Sequence, residues 1–294
     1  MQNALTYIKA SLAMLFWAVT FVWIKVALRW YRPIEIVLLR LVLASVLLFT
    51  VMLILRHKER IKREDLFRFL LVAFCEPFLY FLGEANGMQY VSSTLGSLII
   101  STIPLVTAFG AWLLLKEKIT PLIIIGLIVS FGGVALLSFE SPDLSATIKG
   151  ILYLLLAVFA GMFYGISVRS LTLKYTTLTI VTWQSFFGML FFLPVFLIND
   201  SSHFFGMDHS VLGLVTIAAM SIFASVGAFM LFTGAIRNLG VIKANVFTNL
   251  IPVFTVILAY LLLGDKITGL TVVGLLLTIS GLTISQLKDL KKLF

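Results

Sequence analysis

The sequence predicts an all-α integral membrane protein with ten transmembrane helices in two five-helix inverted-topology repeats. Three observations predict it. The chain is 61% hydrophobic and only 12% charged, with a mean hydropathy of +1.10, whereas an ordinary soluble domain carries about 25% charged residues. A soluble fold of 294 residues could not bury that much apolar surface, so lipid must cover it. The apolar runs are also unbroken over about 20 residues, the length that crosses a hydrocarbon core about 30 Å thick, and do not alternate as barrel strands do. Finally, one stretch occurs twice. Residues 97–126 align without a gap on residues 245–274 at an offset of 148. That offset puts Pro104 on Pro252, Glu117-Lys118-Ile119-Thr120 on Asp265-Lys266-Ile267-Thr268, Gly126 on Gly274 and Gly133 on Gly281. Apolar residues match by chance; a proline, an acid-Lys-Ile-Thr string and two glycines in register do not.

The elements follow in order. The first span is predicted over Ile8 to Leu28, read as a retained helix because no small-residue cleavage site follows the apolar run. The second is predicted over Ile34 to Leu55, after Pro33, whose missing N–H suits a helix start. The charged run at residues 56–65 must lie outside lipid. Three further spans are predicted over Leu66–Asn86, Thr94–Leu115 and Thr120–Ser138. A polar loop then divides the chain into halves of residues 1–142 and 143–294. The second half is predicted to span at Gly150–Leu171, Leu178–Ile198, Val211–Ile236, Lys243–Leu263 and Thr268–Leu287, before a basic tail. Its first part aligns with the first half at an offset of 144, which pairs Lys25 with Arg169, Pro33 with Thr177 and Arg40 with Gln184.

Five spans per half make the second copy enter the membrane from the opposite side. With both termini cytoplasmic, Lys9, the 56–65 run, Lys116, Lys118, Arg169, Lys174, Arg237, Lys243 and the tail lysines fall inside. Arg29, Arg32, Lys149 and Lys266 remain outside, with Glu35, Glu140, Asp143, Asp200, Asp208 and Asp265. This is the positive-inside asymmetry, and it accounts for the net charge of +9 without nucleic acid. The single cysteine, Cys75, excludes an internal disulfide, and His57, His203 and His209 fall in predicted loops, away from any helical ligand pair. No Walker A motif is present to bind ATP. No cofactor or metal is expected.

A solute site in an inverted-repeat carrier lies near the midplane, where the halves meet. Pro104 and Pro252 each deprive the carbonyl four residues earlier, at Ile100 and Thr248, of its helical partner. Before each proline stand polar residues one turn apart, Ser97 and Ser101 in one half, Asn245 and Asn249 in the other. They read either as cavity lining or as hydrogen-bonding glue between helices. Glu76 and Glu84 share a face with Tyr80 between them. A carboxylate at the bilayer centre costs about 2.5–3.5 kcal/mol, so Glu76 is a candidate for a coupling proton or a cationic substrate group, and Arg40 for its ion-pair partner or for anion binding. Glu84 is expected nearer the external end, in reach of water. Trp17, Tyr80, Tyr164 and Trp183 are the aromatic candidates, each beside polar or glycine positions inside a span. Gly161 and Gly165 read as close helix packing.

Several of these features occur together in one family. The Phe16-Trp17-Ala18 segment with Lys25, Arg40 in the second span, Ser101–Pro104 followed by Leu115-Lys116-Glu117-Lys118-Ile119-Thr120, and Leu263-Gly264-Asp265-Lys266-Ile267-Thr268 resemble the EamA-type members of the drug/metabolite transporter superfamily. The likeness covers nearly the whole chain. Where that family usually has Gly-Glu, this chain has Lys116-Glu117 and Gly264-Asp265. The resemblance implies a ten-helix secondary transporter of the cell membrane, commonly an exporter of amino acids or other small metabolites, with a central cavity between the halves. A nucleoside, sugar derivative or drug-like amine is the alternative cargo. The expected partners are a small-molecule substrate, the lipid bilayer and a coupling proton, in a monomer or dimer. A membrane-embedded enzyme would need a metal site or a His/Asp constellation that the sequence lacks, and a channel a repeated filter.

Overall fold

The computed structural model describes residues 2–107, 121–138 and 144–290. Lys116, Glu117, Lys118, Ile119 and Thr120, with Glu140 and Asp143, lie outside the described residues. Within them every regular element is helical: α1 Gln2–Ala27, α2 Pro33–Ile54, α3 Arg63–Gly87, α4 Ser93–Thr107, α5 Pro121–Ser138, α6 Leu144–Thr172, α7 Thr177–Asn199, α8 Ser201–Gly206, α9 Val211–Leu239, α10 Val241–Val246, α11 Leu250–Leu263 and α12 Gly269–Leu290.

Local chemistry sets the boundaries. Pro33 opens α2, and Glu35 accepts the Arg32 N–H at 2.8 Å. Ser92, Thr176 and Ser210 cap α4, α7 and α9 by accepting from Leu95, Thr179 and Gly213. The left-handed Gly264, at φ 73°, ends α11. Large apolar side chains stay uncovered, among them Ile198 at 82% and Leu53 at 78% exposure, as lipid-facing surface does and soluble surface rarely does.

Among the described residues six helices are long and apolar enough to cross a membrane: α1, α2, α3, α6, α7 and α9. Four shorter apolar stretches stand beside them, at Ser93–Thr107, Ile124–Leu137, Phe247–Leu263 and Gly269–Ile284. Proline interrupts two of these. The α4 ladder breaks at Ser101–Thr102, just before Pro104. The continuous span expected from Lys243 is interrupted by a 3₁₀ turn over Phe247–Asn249, just before Pro252. A proline removes one hydrogen bond and crowds the carbonyl four residues back, so both chains tighten before it. A different break occurs in α3, where Phe74–Leu79 winds as a π-helix and Glu76 is extended at φ −145°, ψ 116°. Pro77 explains it, because the residue before a proline is pushed out of the helical region. Met220–Ala228 in α9 also winds as a π-helix, without a proline or an extended residue, and it includes the positions 222–227 that the 148 offset assigns to Phe74–Leu79.

Helix packing repeats the sequence match. α2 lies along α7, α3 and α4 along α6, α9 and α11 along α1, and α5 along α12. In the α5–α12 contact a Cβ on Gly133 would stand 2.5 Å from the Gly274 carbonyl oxygen, and one on Gly281 would stand 2.5 Å from the Gly126 carbonyl oxygen. Between them the Ser130 hydroxyl donates to the Thr278 carbonyl (3.3 Å) and the Thr278 hydroxyl to that of Ser130 (3.4 Å). Residues 126, 130 and 133 thus meet residues 281, 278 and 274, so the helices run antiparallel. Each residue faces the equivalents of its own neighbours, as in a two-fold contact.

Turns tie the bundle at both ends. After α1, the Tyr31 hydroxyl lies 3.2 Å from His209 Nδ1, Arg32 pairs with Asp200 at 3.0 Å, and His203 Nδ1 lies 2.6 Å from Glu35. After α6, the Tyr175 hydroxyl donates to Asp65 (3.0 Å), Lys174 pairs with Asp65 at 2.8 Å, and Thr176 donates to Glu59 through its backbone and hydroxyl. The 144 offset carries Tyr31 onto Tyr175 and Asp65 onto His209. Burial pushes the Glu59 carboxyl up, but the hydrogen bonds from Thr179, Thr176 and His57 outweigh it and hold it below the usual carboxylate range. The three histidines expected in loops are thus held by specific partners, and His203 sits on α8.

Candidate functional site

A cavity of about 670 Å³ of non-atom space, its mouth included, opens between the helices. Of the residues singled out from sequence, Trp17, Arg40, Glu76, Tyr80, Tyr164 and Asn245 line it. So do Ile100 and Thr248, the two positions whose carbonyls the prolines leave without a helical partner. The 144 offset carries Trp17, Thr20 and Phe21 onto Gly161, Tyr164 and Gly165, and the 148 offset carries Ile100 and Ile103 onto Thr248 and Ile251. All ten line the cavity. Where α1 places Trp17 and Phe21, α6 places Gly161 and Gly165, and where α1 places Thr20, α6 places Tyr164, so the two walls exchange bulk position by position.

Charge enters from α2 and α3. Arg40 is 1% exposed. Its Nε and Nη2 donate to the Ser225 hydroxyl at 3.4 and 3.3 Å, and its guanidinium lies 4.4 Å from the centre of the Phe81 ring. Nη1 has no hydrogen-bond partner among the described residues. The Tyr80 hydroxyl donates to Glu84 Oε1 at 3.3 Å, and Glu84 Oε2 has no partner among the described residues. Glu84 is 5% exposed, so it does not reach water at a helix end as its position in the sequence led us to expect. Glu76 makes no ion pair with Arg40 among the described residues. The carboxylate whose charge acts on Arg40 is Glu84. The extended backbone at Glu76 lifts this residue out of the helical ladder, and Gly188 on α7 leaves room for the Pro77 ring behind it. Tyr164 donates to Gln184, the counterpart of Arg40, at 3.5 Å. Trp17 packs edge-on against Phe232, with ring centres 4.9 Å apart.

Other candidates lie elsewhere. Ser97 and Ser101 are fully buried, and their hydroxyls donate to the carbonyls of Thr94 and Leu98 in their own helix. Trp183 packs with Phe49, Phe186 and Phe187. Asn249 stands at the start of α11 and Pro252 inside it, while Pro104 lies in the last turn of α4; none of the three lines the cavity. Gly161 combines both of its readings: a Cβ there would meet the Ile103 side chain at 2.8 Å, and the residue lines the cavity. Sequence reasoning missed Thr20, Phe21, Phe81 and Phe232. The repeat alignment held a usable signal for Thr20, the counterpart of Tyr164.

Comparison with known proteins agrees with a membrane carrier. The model of the EamA-like transporter family matches residues 4–139 and 148–286. An uncharacterized transporter of Archaeoglobus fulgidus is 26% identical over 294 residues, covering 98% of this chain and 99% of its own. A second from that organism is 29% identical over 278 residues, covering 95% and 97%. The uncharacterized transporter YetK of Bacillus subtilis is 26% identical over 255 residues, covering 85% and 77%. One crystal structure superposes with a TM-score of 0.72 over 98% of both chains at 13% identity, a likeness of fold alone. With family matches in both halves of a many-helix membrane chain, the protein belongs to the EamA-like transporter family.

Proposed function

We propose that the protein is a secondary transporter that carries a small zwitterionic metabolite, an amino acid or a related compound, through this cavity by alternating access. One observation carries the reading. An arginine nitrogen and a carboxylate oxygen, both buried, stand without partners in a cavity walled largely by apolar side chains. Leaving a buried polar atom unsatisfied costs about 1–3 kcal/mol, more where it is charged. A solute carboxylate on Arg40 Nη1 and a solute ammonium on Glu84 would remove both costs at once. The repeat-equivalent lining and the antiparallel α5–α12 contact support two inverted halves meeting around the solute. The charge asymmetry supports a cell membrane with both termini in the cytoplasm, and the family likeness favours export. Glu76, unpaired beside Glu84, is the proposed site of the coupling proton.

The test is a thermal-stability screen of purified protein against amino acids, amines, nucleosides and sugar derivatives. A ligand at 100 times its Kd stabilises the binding state by about 2.7 kcal/mol. Amino acids that stabilise the protein, and whose efflux from vesicles loses its pH dependence in Glu76→Gln, would support the reading. Stabilisation by uncharged sugars alone would overturn it. Amines that bind as tightly as amino acids would favour the drug-like cargo, since Glu76, Glu84 and the aromatic wall suffice for a cation.

A further inference from the structure

A second cavity opens at the α1–α2 turn, apart from the central site and beside the Arg32–Asp200 and His203–Glu35 ties. It is lined by Lys25, Leu28, Arg29, Trp30, Arg32 and His203, with Tyr31 and Gln89, and encloses about 810 Å³ of non-atom space including its open mouth. Its charge is one-sided. The central cavity has one guanidinium and two carboxylates, whereas this one has three fixed cations and no acid in its lining. Two of its basic groups are engaged: Arg32 with Asp200 at 3.0 Å, and His203 with Glu35 at 2.6 Å. Lys25 and Arg29 form no ion pair among the described residues; Asp265 acts on Lys25 only through its more distant charge. Lys25 lies in the last turn of α1, one turn after Phe21, which faces the central cavity. Arg29 stands in the turn that follows, its N–H donating to the Val26 carbonyl at 3.2 Å. Cations without an ion-pair partner at a concave surface concentrate counter-ions beside them.

We infer that this cavity is an anion-binding vestibule in which Lys25 and Arg29 hold a carboxylate or phosphate group. Arg29 contributes a planar fork suited to two oxygens, Lys25 a point charge at the inner end, and Gln89 an amide donor. The group can arrive on a water-soluble solute or as the headgroup of an anionic lipid. The inference does not depend on what the central cavity carries.

Trp30 lines the vestibule and reports on it. Its fluorescence, isolated by difference from Trp30→Phe, is quenched with iodide and with neutral acrylamide at constant ionic strength, in the full protein reconstituted in phosphatidylcholine. The iodide-to-acrylamide ratio should fall by about twofold or more in Arg29→Gln, and further when Lys25→Gln is added. Inorganic phosphate should suppress the iodide excess in the unmodified chain and leave Arg29→Gln unchanged. Arg29 is exposed, so the single variant decides the matter even if the double variant folds poorly. Equal ratios in the unmodified chain and in Arg29→Gln would overturn the inference. Repeating the measurement with phosphatidylglycerol separates the sources. Loss of the iodide excess there, with none in Arg29→Gln to lose, identifies a lipid phosphate; an excess that survives and yields only to inorganic phosphate identifies a solute anion.

Discussion

Replacing Arg40 with glutamine removes the one cationic side chain that lines the central cavity among the described residues while keeping a polar group beside Ser225. Arg40 spends Nε and Nη2 on the Ser225 hydroxyl and leaves Nη1 free. A hydrogen bond to a charged group contributes about 1.5–3 kcal/mol. At about 1.4 kcal/mol per factor of ten, Arg40→Gln should weaken a carboxylate-bearing ligand by about 10- to 150-fold. The decarboxylated amine of the same ligand meets only the carboxylates and should lose little. Titration calorimetry of both ligands on both proteins closes a double cycle, whose coupling energy should fall in that same range. Arg40→Lys restores a charge without the fork that reaches Ser225 and ligand together, so it should recover only part of the affinity. Equal losses for acid and amine, with a coupling below about 0.5 kcal/mol, would refute the assignment of Arg40 to a ligand carboxylate.

Other expectations concern stability. Gly281→Ala puts a methyl 2.5 Å from the Gly126 carbonyl oxygen and from the Ser130 nitrogen, both backbone atoms, and should cost about 1–3 kcal/mol. Gly132→Ala meets nothing within 4 Å and should stabilise α5 by about 0.5–1 kcal/mol through helix propensity; thermal unfolding in detergent that shifts both variants the same way would count against the α5–α12 packing. Asp65→Asn leaves a buried group that accepts from Lys174, Tyr175 and Arg68 without its charge. A loss of about 1–3 kcal/mol is expected, against less than about 0.5 for Glu64→Gln on the exposed side of the same turn. Glu59 sets a pH expectation. Its folded carboxyl titrates below its unfolded value, so its contribution is full above pH 4.5 and is lost as pH falls through the folded value. Glu59→Gln should remove that part of the acid sensitivity, and an unchanged profile of unfolding temperature against pH would contradict it.

The membrane class and the positions of the helices were legible in the sequence because apolar run length and a helix-starting proline are local signals. Pro33 marks a start that the structure keeps, whereas the caps at Ser92, Thr176 and Ser210 became evident only in the structure. Pro104 and Pro252 were legible too, and they foretold the breaks just before them. The depth of Glu84 was not. Burial depends on which helix covers a face, and α6 lies on the Glu84 end of α3. The serines mislead for a related reason. A hydroxyl in a helix can turn back onto a carbonyl of its own preceding turn, so Ser97 and Ser101 have no need of a cavity, whereas a guanidinium such as Arg40 cannot be satisfied that way.

The repeat also separates what can move from what need not. In a carrier whose halves exchange conformations, a contact that forms at one mouth only while that mouth is closed cannot coexist with its repeat-related twin. The Tyr31–His209 and Tyr175–Asp65 ties are such twins, and both are made in the same structure. On the alternating-access reading they are therefore scaffold, tying the turn before α2 to the turn before α9 and the turn before α7 to the start of α3, and not gates. The two halves differ at the third helix of each. α3 has Glu76-Pro77 and an extended residue where α9, at the same register, has Ala224-Ser225 in an unbroken wide turn. Ser225 anchors Arg40, while Glu76 and Arg40 line the same cavity. The site where the repeats differ most is thus joined to the charges that would hold a solute, and that junction is where we expect binding and helix rearrangement to be coupled.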